Sequence, residues 1–359
     1  MVARLTRAGR FTSAGRRIVH TSLPTRQLGT SDIHITRIGF GAWAIGGGGW
    51  AFGWGPQSDS DSIGAIRRAL ALGLNWIDTA AVYGLGHSEE IVGRALRDLA
   101  PNERPYVFTK CGLVWDEHRR AAAPVRSLRP ESIRKECEAS LKRRGVERID
   151  LYQFHWPDET GTPIEDSWNA MVQLVEEGKV RAIGVSNFDV SLLDRCEAVR
   201  HVDSLQPPFS LINRDSARQL IPWCAAHHAG VLCYSPMQSG ILTESFSPAR
   251  VVHMADDDWR VRSAEFLPPK LERNIALRDA LRPIAIRHDT TVSAVAIAWT
   301  LSWAGVTGAI VGARSAEQLD GWIDAATLDL SDGDLVDISI AVRRVGAGCG
   351  PTRPGLLAA

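Results

Sequence analysis

No two cysteines of this sequence stand as CxxC, and the six present, Cys111, Cys137, Cys196, Cys224, Cys233 and Cys349, form no short-spaced cluster. That excludes a thiolate zinc site and a disulfide-stapled scaffold, and it leaves reduced, mostly buried thiols. No metal site is read from the sequence. Charge of one sign is not in excess either: 41 Lys and Arg balance 41 Asp and Glu. Without a surplus of basic residues there is no electrostatic footprint for nucleic acid or a membrane surface, so neither is expected as a partner. No apolar run reaches the length that a bilayer-crossing helix needs. The GxGxxG of a dinucleotide-binding open sheet is missing too. The glycine run at 46–49 lacks that spacing and leads into "WAFGWG", a poor helix start.

Acids are absent from residues 1–31, which hold six arginines; the first acid is Asp32. Such a start has the composition of an organelle transit peptide, and equally of a loose basic tail or an upstream start codon. Residues 1–24 are therefore set apart from the fold as a basic tail. A cytoplasmic location is expected, with an organelle as the alternative. The closing stretch 341–359, with "GAGCGPTRPGLLAA", reads as a flexible C-terminal tail.

What is present is a regular alternation. A hydrophobic fraction of 45% and a charged fraction of 23% are those of a soluble globular protein. From residue 38 onward, eight short apolar runs read as strands: 38–43, 75–80, 106–112, 151–156, 181–187, 203–210, 231–236 and 308–313. Between them lie amphipathic stretches with helix signals, such as "RPESIRKECEASLKRRG", with proline near its start and Gly145 at its close. Strands separated by helices imply βαβ units and a parallel sheet. Eight units fit a closed (β/α)8 TIM barrel, with its active site at the carboxyl ends of the strands. Residues 25–37 have a turn signal between two extended pieces and are expected to plug one barrel end as a hairpin. Residues 237–272 form a long loop after the seventh strand, of the kind that serves as a lid. Helices are expected at 271–288 and 291–304. Residues 25–340 are thus read as one barrel.

Polar residues late in these strands stand out. Asp78 closes the second, Lys110 lies in the third, His155 lies in the fourth, and Tyr83 follows Asp78 by five residues. At one barrel mouth, Asp78 and Lys110 can neutralise each other, as a buried charge requires. A lysine beside a phenol is expected to lower its pKa from about 10. The phenol then serves as general acid, and the histidine orients a carbonyl oxygen beside it. Such a set delivers a proton to a carbonyl oxygen while something else adds to carbon.

The segments "GLNWIDTAAVYGLGHSEEIVGRAL", "VFTKCG", "DLYQFHWPD", "GVSNF", "YSPMQSGIL" and "GARSAEQL" together resemble the aldo-keto reductases, in order and at the expected strands. The likeness spans residues 26 to about 340. It implies a barrel that reduces carbonyls with a nicotinamide cofactor, usually NADPH, with NADH possible. It implies Tyr83 as proton donor, Lys110 and Asp78 as its tuning pair, and His155 as the substrate-orienting residue. Ser186, Asn187 and Gln206 would hold the carboxamide, Tyr234 would stack on the nicotinamide, and Trp43 is counted with the cofactor contacts. The loop with Ser235, Pro236, Met237, Gly240 and Leu242 would follow the pyrophosphate. Gly312, Ala313, Arg314 and Gln318 would take the adenosine end, Arg314 pairing with a 2′-phosphate.

The sequence also departs from the family's pattern. Many members grip the adenine with Glu/Gln and, four residues on, Asn; here Gln318 is followed by Trp322. The stretch "GGGGWAFGWG" is longer and more aromatic than in many members, and resembles a bacterial branch acting on aldehydes, ketones and polyols. Trp50, Trp54 and Trp156 are candidate pocket residues. The expected partner is a small carbonyl or polyol, and the oligomeric state is left open. Two alternatives stand beside carbonyl reduction: an NAD-dependent sugar or polyol dehydrogenase, and a cofactor-binding regulatory subunit of a channel.

Overall fold

The computed structural model describes residues 23–355. The expected basic tail, up to residue 22, and the last four residues lie outside them.

Two short antiparallel strands, β1 (Thr25–Gln27) and β2 (His34–Thr36), come first. Eight parallel strands and one outlying hairpin follow. They are β3 (Ile38–Gly41), β4 (Trp76–Asp78), β5 (Tyr106–Cys111), the hairpin β6 (Leu113–Val114) and β7 (Val125–Arg126), and β8 (Ile149–Phe154). β9 (Val180–Ser186), β10 (Ser204–Gln206), β11 (Gly230–Tyr234) and β12 (Gly308–Gly312) complete the set. The barrel closes where β12 pairs with β3, from Ala309↔Ile38 to Gly312↔Gly41. All eight expected barrel strands are present, each shorter than or shifted slightly from its apolar run, and the expected N-terminal hairpin is present as well.

The helices are α1 (Asp59–Ala71), α2 (His87–Leu96), α3 (Pro130–Arg144), α4 (Ile164–Glu176), α5 (Val190–Glu197) and α6 (Leu220–Ala226). Then come α7 (Pro248–Val252), α8 (Lys270–Ala280), α9 (Arg282–Arg287), α10 (Val292–Leu301) and α11 (Asp332–Val345). Local chemistry sets their ends. α3 has Pro130 in its first turn, three basic residues in its last, and Gly145 at φ 64° as its C-cap. α10 is buried on every side, and the Thr291 hydroxyl caps it by accepting the Ala294 N–H. The single helix expected at 271–288 is two helices. Pro283 lacks the N–H that would continue the first, and the chain turns at Leu281.

One end of the barrel is plugged. Leu28, Ile33 and Ile35 of the first hairpin region pack with Trp76, Phe108 and Leu151 from the barrel interior. The Trp76 indole leaves no room at Gly39, where a Cβ would stand 2.1 Å from the ring. The region expected as a C-terminal tail is in part the end of α11 and in part a strap. Arg214 donates to the carbonyls of Ala347 at 3.0 Å and Gly350 at 3.3 Å, and Ala347 is buried. The open end of the barrel carries the long loop after β11, which includes α7.

Candidate active site

β4 and β5 bring Asp78 and Lys110 side by side inside the open end of the barrel, both almost fully buried. Lys110 Nζ donates to Asp78 Oδ1 at 2.6 Å and to the Thr79 carbonyl at 2.9 Å. Its third direction reaches Tyr83 Oη at 3.5 Å. The Tyr83 ring meets His155 edge-on, with centroids 5.5 Å apart. His155 is fixed from behind by its own N–H, which donates to the Cys111 carbonyl at 2.9 Å. The four polar residues singled out in the sequence therefore form one cluster.

Burial governs their protonation. It pushes the Asp78 carboxyl up and the Lys110 ammonium down, and each group opposes the shift of the other. The Tyr83 phenol is held well above its ordinary value, first by burial and then by the Asp78 charge. This overturns the expectation that Lys110 lowers it: the lysine's charge is already neutralised by Asp78, so desolvation wins. His155 is held well below its ordinary value by burial and by Lys110, so its ring is neutral. The cluster thus holds a protonated phenol and a neutral imidazole.

Asp78 has further support that the sequence did not disclose. Gln206 Nε2 donates to Asp78 Oδ2 at 2.8 Å, and Gln153 lies buried in the same layer, with its Oε1 3.5 Å from Gln206 Nε2. Gln206 was expected only as a carboxamide contact.

Above this layer opens a cavity of ≈ 840 Å³, within the range of small-molecule sites. Asp78, Tyr83 and His155 form part of its floor. Asn187, at φ 62°, donates to the His155 carbonyl at 3.0 Å and accepts the Tyr234 hydroxyl at 2.8 Å. Ser186 donates to the Gln206 carbonyl at 2.8 Å. Ser235 and Ser239 have positive φ, so the loop with Pro236, Met237 and Gly240 curls against the cavity. Leu242 does not: it is fully buried, and its N–H donates to Met237. Lys110 also stays behind the wall and reaches the site only through Asp78 and Tyr83.

The tryptophans divide. Trp50 is buried beside Tyr83, with its indole N–H on the Gly47 carbonyl at 3.2 Å. Trp54 meets Trp43 edge-on at 5.3 Å, and Trp43 in turn stacks over Tyr83 at 6.0 Å. Trp156 lies at the rim under Arg126, whose guanidinium is 4.3 Å from the ring centroid.

Two residues of the long loop belong to this group and were missed. Trp259 stacks on Trp43 at 5.3 Å and 14°, and Arg260 lies 4.4 Å over Trp54 while pairing with buried Asp258 at 2.6 Å. Two hydrogen bonds fasten the loop down: Trp259 N–H donates to the Gly53 carbonyl at 3.1 Å, and the Asp257 carboxylate accepts the Gly49 N–H at 2.8 Å. The segment has no periodicity. Only the density of charge and tryptophan in "DDDWRVR" marks it.

The model of the aldo/keto reductase family matches residues 37–342. The chain belongs to that family. It is 35% identical to the NADH-specific methylglyoxal reductase of Escherichia coli K12 over 316 residues, covering 86% of this chain and 94% of that one. It is 34% identical to the aldo-keto reductase YhdN of Bacillus subtilis strain 168 over 308 residues, covering 86% and 90%. A glycerol dehydrogenase structure from Gluconobacter oxydans superimposes with TM-score 0.80 at 37% identity, over 93% of this chain and 99% of that one. This aldo-keto reductase is therefore an oxidoreductase of the carbonyl/alcohol class, and the family works with nicotinamide cofactors.

The cavity fits such a cofactor. Its lining includes neutral polar groups and an aromatic face, Ser186, Asn187 and Tyr234, a curled backbone loop at 235–240, and a group of arginines. Gly312, Ala313, Arg314 and Gln318 line the same cavity. Arg314 already has partners: its Nε donates to Gln57 Oε1 at 2.7 Å, a terminal nitrogen donates to the Pro56 carbonyl, and its own carbonyl accepts from Gln57 Nε2 at 2.8 Å. Gln318 Oε1 accepts the Arg314 N–H at 2.8 Å. Trp322 is buried in the same wall with its indole N–H unpartnered. Arg250 and Arg260 line the cavity too, and with Arg314 they repel one another.

Proposed function

We propose that this enzyme reduces small aldehydes and ketones with NADPH, using Tyr83 as general acid. The observation that carries this reading is the buried chain Asp78–Lys110–Tyr83, ending beside a neutral His155 on the floor of the cavity. When bound, a nicotinamide cofactor would supply the hydride that adds to the carbonyl carbon. The carbonyl oxygen, as it gains charge, accepts a proton from Tyr83 Oη and a hydrogen bond from the His155 ring. An alkoxide is a stronger base than a phenolate, so a phenol of raised pKa still gives up its proton to it. Lys110 then stabilises the phenolate, and Asp78 and Gln206 keep the ammonium in place. In the reverse direction the same groups remove the proton of an alcohol.

On this reading Ser186, Asn187 and Tyr234 meet the nicotinamide, the 235–240 loop the pyrophosphate, and Arg314 and Gln318 the adenosine end. Three arginines near that end favour a 2′-phosphate. The competing reading is NADH with a polyol or α-oxoaldehyde substrate. It is favoured by the internal bonds of Arg314 and by the NADH-specific relative. A cytoplasmic location is proposed as well; no described helix is long and apolar enough to cross a membrane. The test is a turnover screen with NADPH and NADH against methylglyoxal, glyceraldehyde, simple ketones and, in reverse, glycerol. No turnover of any of them with either cofactor would reject the reading.

A further inference from the structure

Outside the barrel wall, Glu136 of α3 touches the active site at one remove. Its Oε2 accepts the Gly112 N–H at 3.0 Å, and its Oε1 accepts the Ser132 hydroxyl at 2.9 Å. No cation forms a salt bridge with it among the described residues. Arg143, further along α3, pairs instead with Glu89 of α2 at 2.6 Å. Facing Glu136 from the barrel are the buried Cys111 thiol and Tyr152 phenol, and Cys137 is its neighbour on the helix. The carboxylate is thus hydrogen-bonded by one backbone amide and one hydroxyl only, while the nearby Arg143 and Glu89 charges act on it in opposite directions.

Gly112 is a junction. It follows Lys110 by two residues, adopts φ 87°, and has no space for a Cβ, which would stand 2.4 Å from Leu128. Its carbonyl accepts the Ser127 N–H at 3.2 Å, and the carbonyl just before it, of Cys111, holds the His155 backbone. Beyond Gly112 runs the β6–β7 hairpin, in which Leu113 pairs with Arg126. Both line the cavity, Leu113 packing against the cluster that holds Tyr83, and Arg126 lying over Trp156. The hairpin has only two residues in each strand, so its own pairing holds it weakly in place.

We propose that Glu136 is a positioning residue for this hairpin: its carboxylate fixes Gly112, and so sets where residues 113–126 stand over the substrate without touching the substrate itself. The proposal rests on the carbonyl-reductase reading above. Burial supplies a titration in the working range, pushing the Glu136 carboxyl up to about 7. When it protonates, a charge-assisted bond to the Gly112 amide becomes a neutral one, a change of about fivefold in an equilibrium constant. Substrate affinity should follow, while the cofactor side of the cavity, built from β9 to β12, should not.

The experiment is steady-state reduction of methylglyoxal or glyceraldehyde, whichever turns over faster, from about pH 6 to 8.5 at saturating cofactor. Wild type, Glu136→Gln and Ser132→Ala are compared, with cofactor Kd measured by fluorescence. In wild type, KM should rise about fivefold toward pH 6, with kcat and cofactor Kd within about twofold. Glu136→Gln should show the raised KM at pH 8.5 and no further pH dependence. Ser132→Ala, which removes one donor to the carboxylate, should move the midpoint of the KM transition upward. The proposal is overturned if Glu136→Gln keeps the wild-type pH dependence of KM, or if it loses kcat and cofactor affinity in step with KM. Should Glu136→Gln fail to fold, an unmoved midpoint in Ser132→Ala overturns it alone. If wild type turns over neither substrate with either cofactor, the carbonyl-reductase reading fails first and takes this inference with it.

Discussion

Lys110 Nζ stands 3.5 Å from Tyr83 Oη, yet the phenol it faces is held above its ordinary pKa. A lysine bound at 2.6 Å to a buried carboxylate is no longer a free positive charge to its other neighbours. Its stabilisation of a phenolate becomes large only when the proton has left, which is when the proposed reaction needs it.

Replacing Tyr83 with Phe should therefore lower kcat by about 10²–10⁴-fold, the usual range for a general acid, with cofactor Kd within about threefold. Retention of a third of wild-type kcat would refute the role given to Tyr83.

With His155 well below its ordinary pKa and Tyr83 well above, neither group titrates near neutrality. The kcat profile should be flat from about pH 6 to 9. An acid limb in kcat close to pH 6.5 would mean that His155 charges in the working enzyme.

Lys110→Met leaves Asp78 buried without its counter-ion. Stability should fall by about 3–5 kcal/mol, read from urea denaturation, along with the loss of turnover. The double variant Asp78→Asn/Lys110→Met removes the stranded charge and should recover part of that stability, but none of the turnover. Equal stability of the single and double variants would show that the pair is not held as ions.

Arg314→Ala separates two roles on one residue. If the guanidinium meets a 2′-phosphate, Kd for NADPH should rise about ten- to a hundredfold and that for NADH less than about threefold. Equal losses would show that Arg314 serves only to clasp Gln57 and Pro56 against the turn after β12.

Glu136 carries a stability signature of its own. Its carboxyl titrates at about 7 in the fold and at its ordinary 4.5 when unfolded. The folded state therefore binds the proton more tightly, so the stability linked to this group is complete below about pH 4.5 and is lost as pH rises to about 7. Glu136→Gln should be more stable than wild type by about 1–3 kcal/mol at pH 8, a gain that disappears near pH 4.5. A destabilised Gln variant at pH 8 would contradict the burial of this charge.

The barrel was legible in the sequence because buried parallel strands are short unbroken apolar runs, and because Asp78, Lys110 and His155 interrupt them at one end. Trp259 and Arg260 were not, since the local Asp258–Arg260 pairing only closes a short turn, and the turn is placed at the site by Trp43, Gly53 and Trp54, about two hundred residues earlier in the chain. Glu136 was hidden for the opposite reason. It sits in a well-formed helical pattern, where a glutamate reads as a solvent-facing residue, and only the packing of α3 on the barrel reveals what it touches. The direction of the Tyr83 shift was misread because a sequence displays charges but not how deeply they are buried. The break at Leu281 could have been read, since Pro283 was in view.

The belt of residues 253–262 and the tryptophan-rich turn at 49–54 are sewn to each other by Asp257–Gly49, Trp259–Gly53 and Trp259–Trp54. Trp43 carries this seam inward, since it stacks on Trp259 on one side and on Tyr83 on the other. Any movement that lifts the belt therefore disturbs the wall around the phenol as well, so the loop cannot shift without the site feeling it.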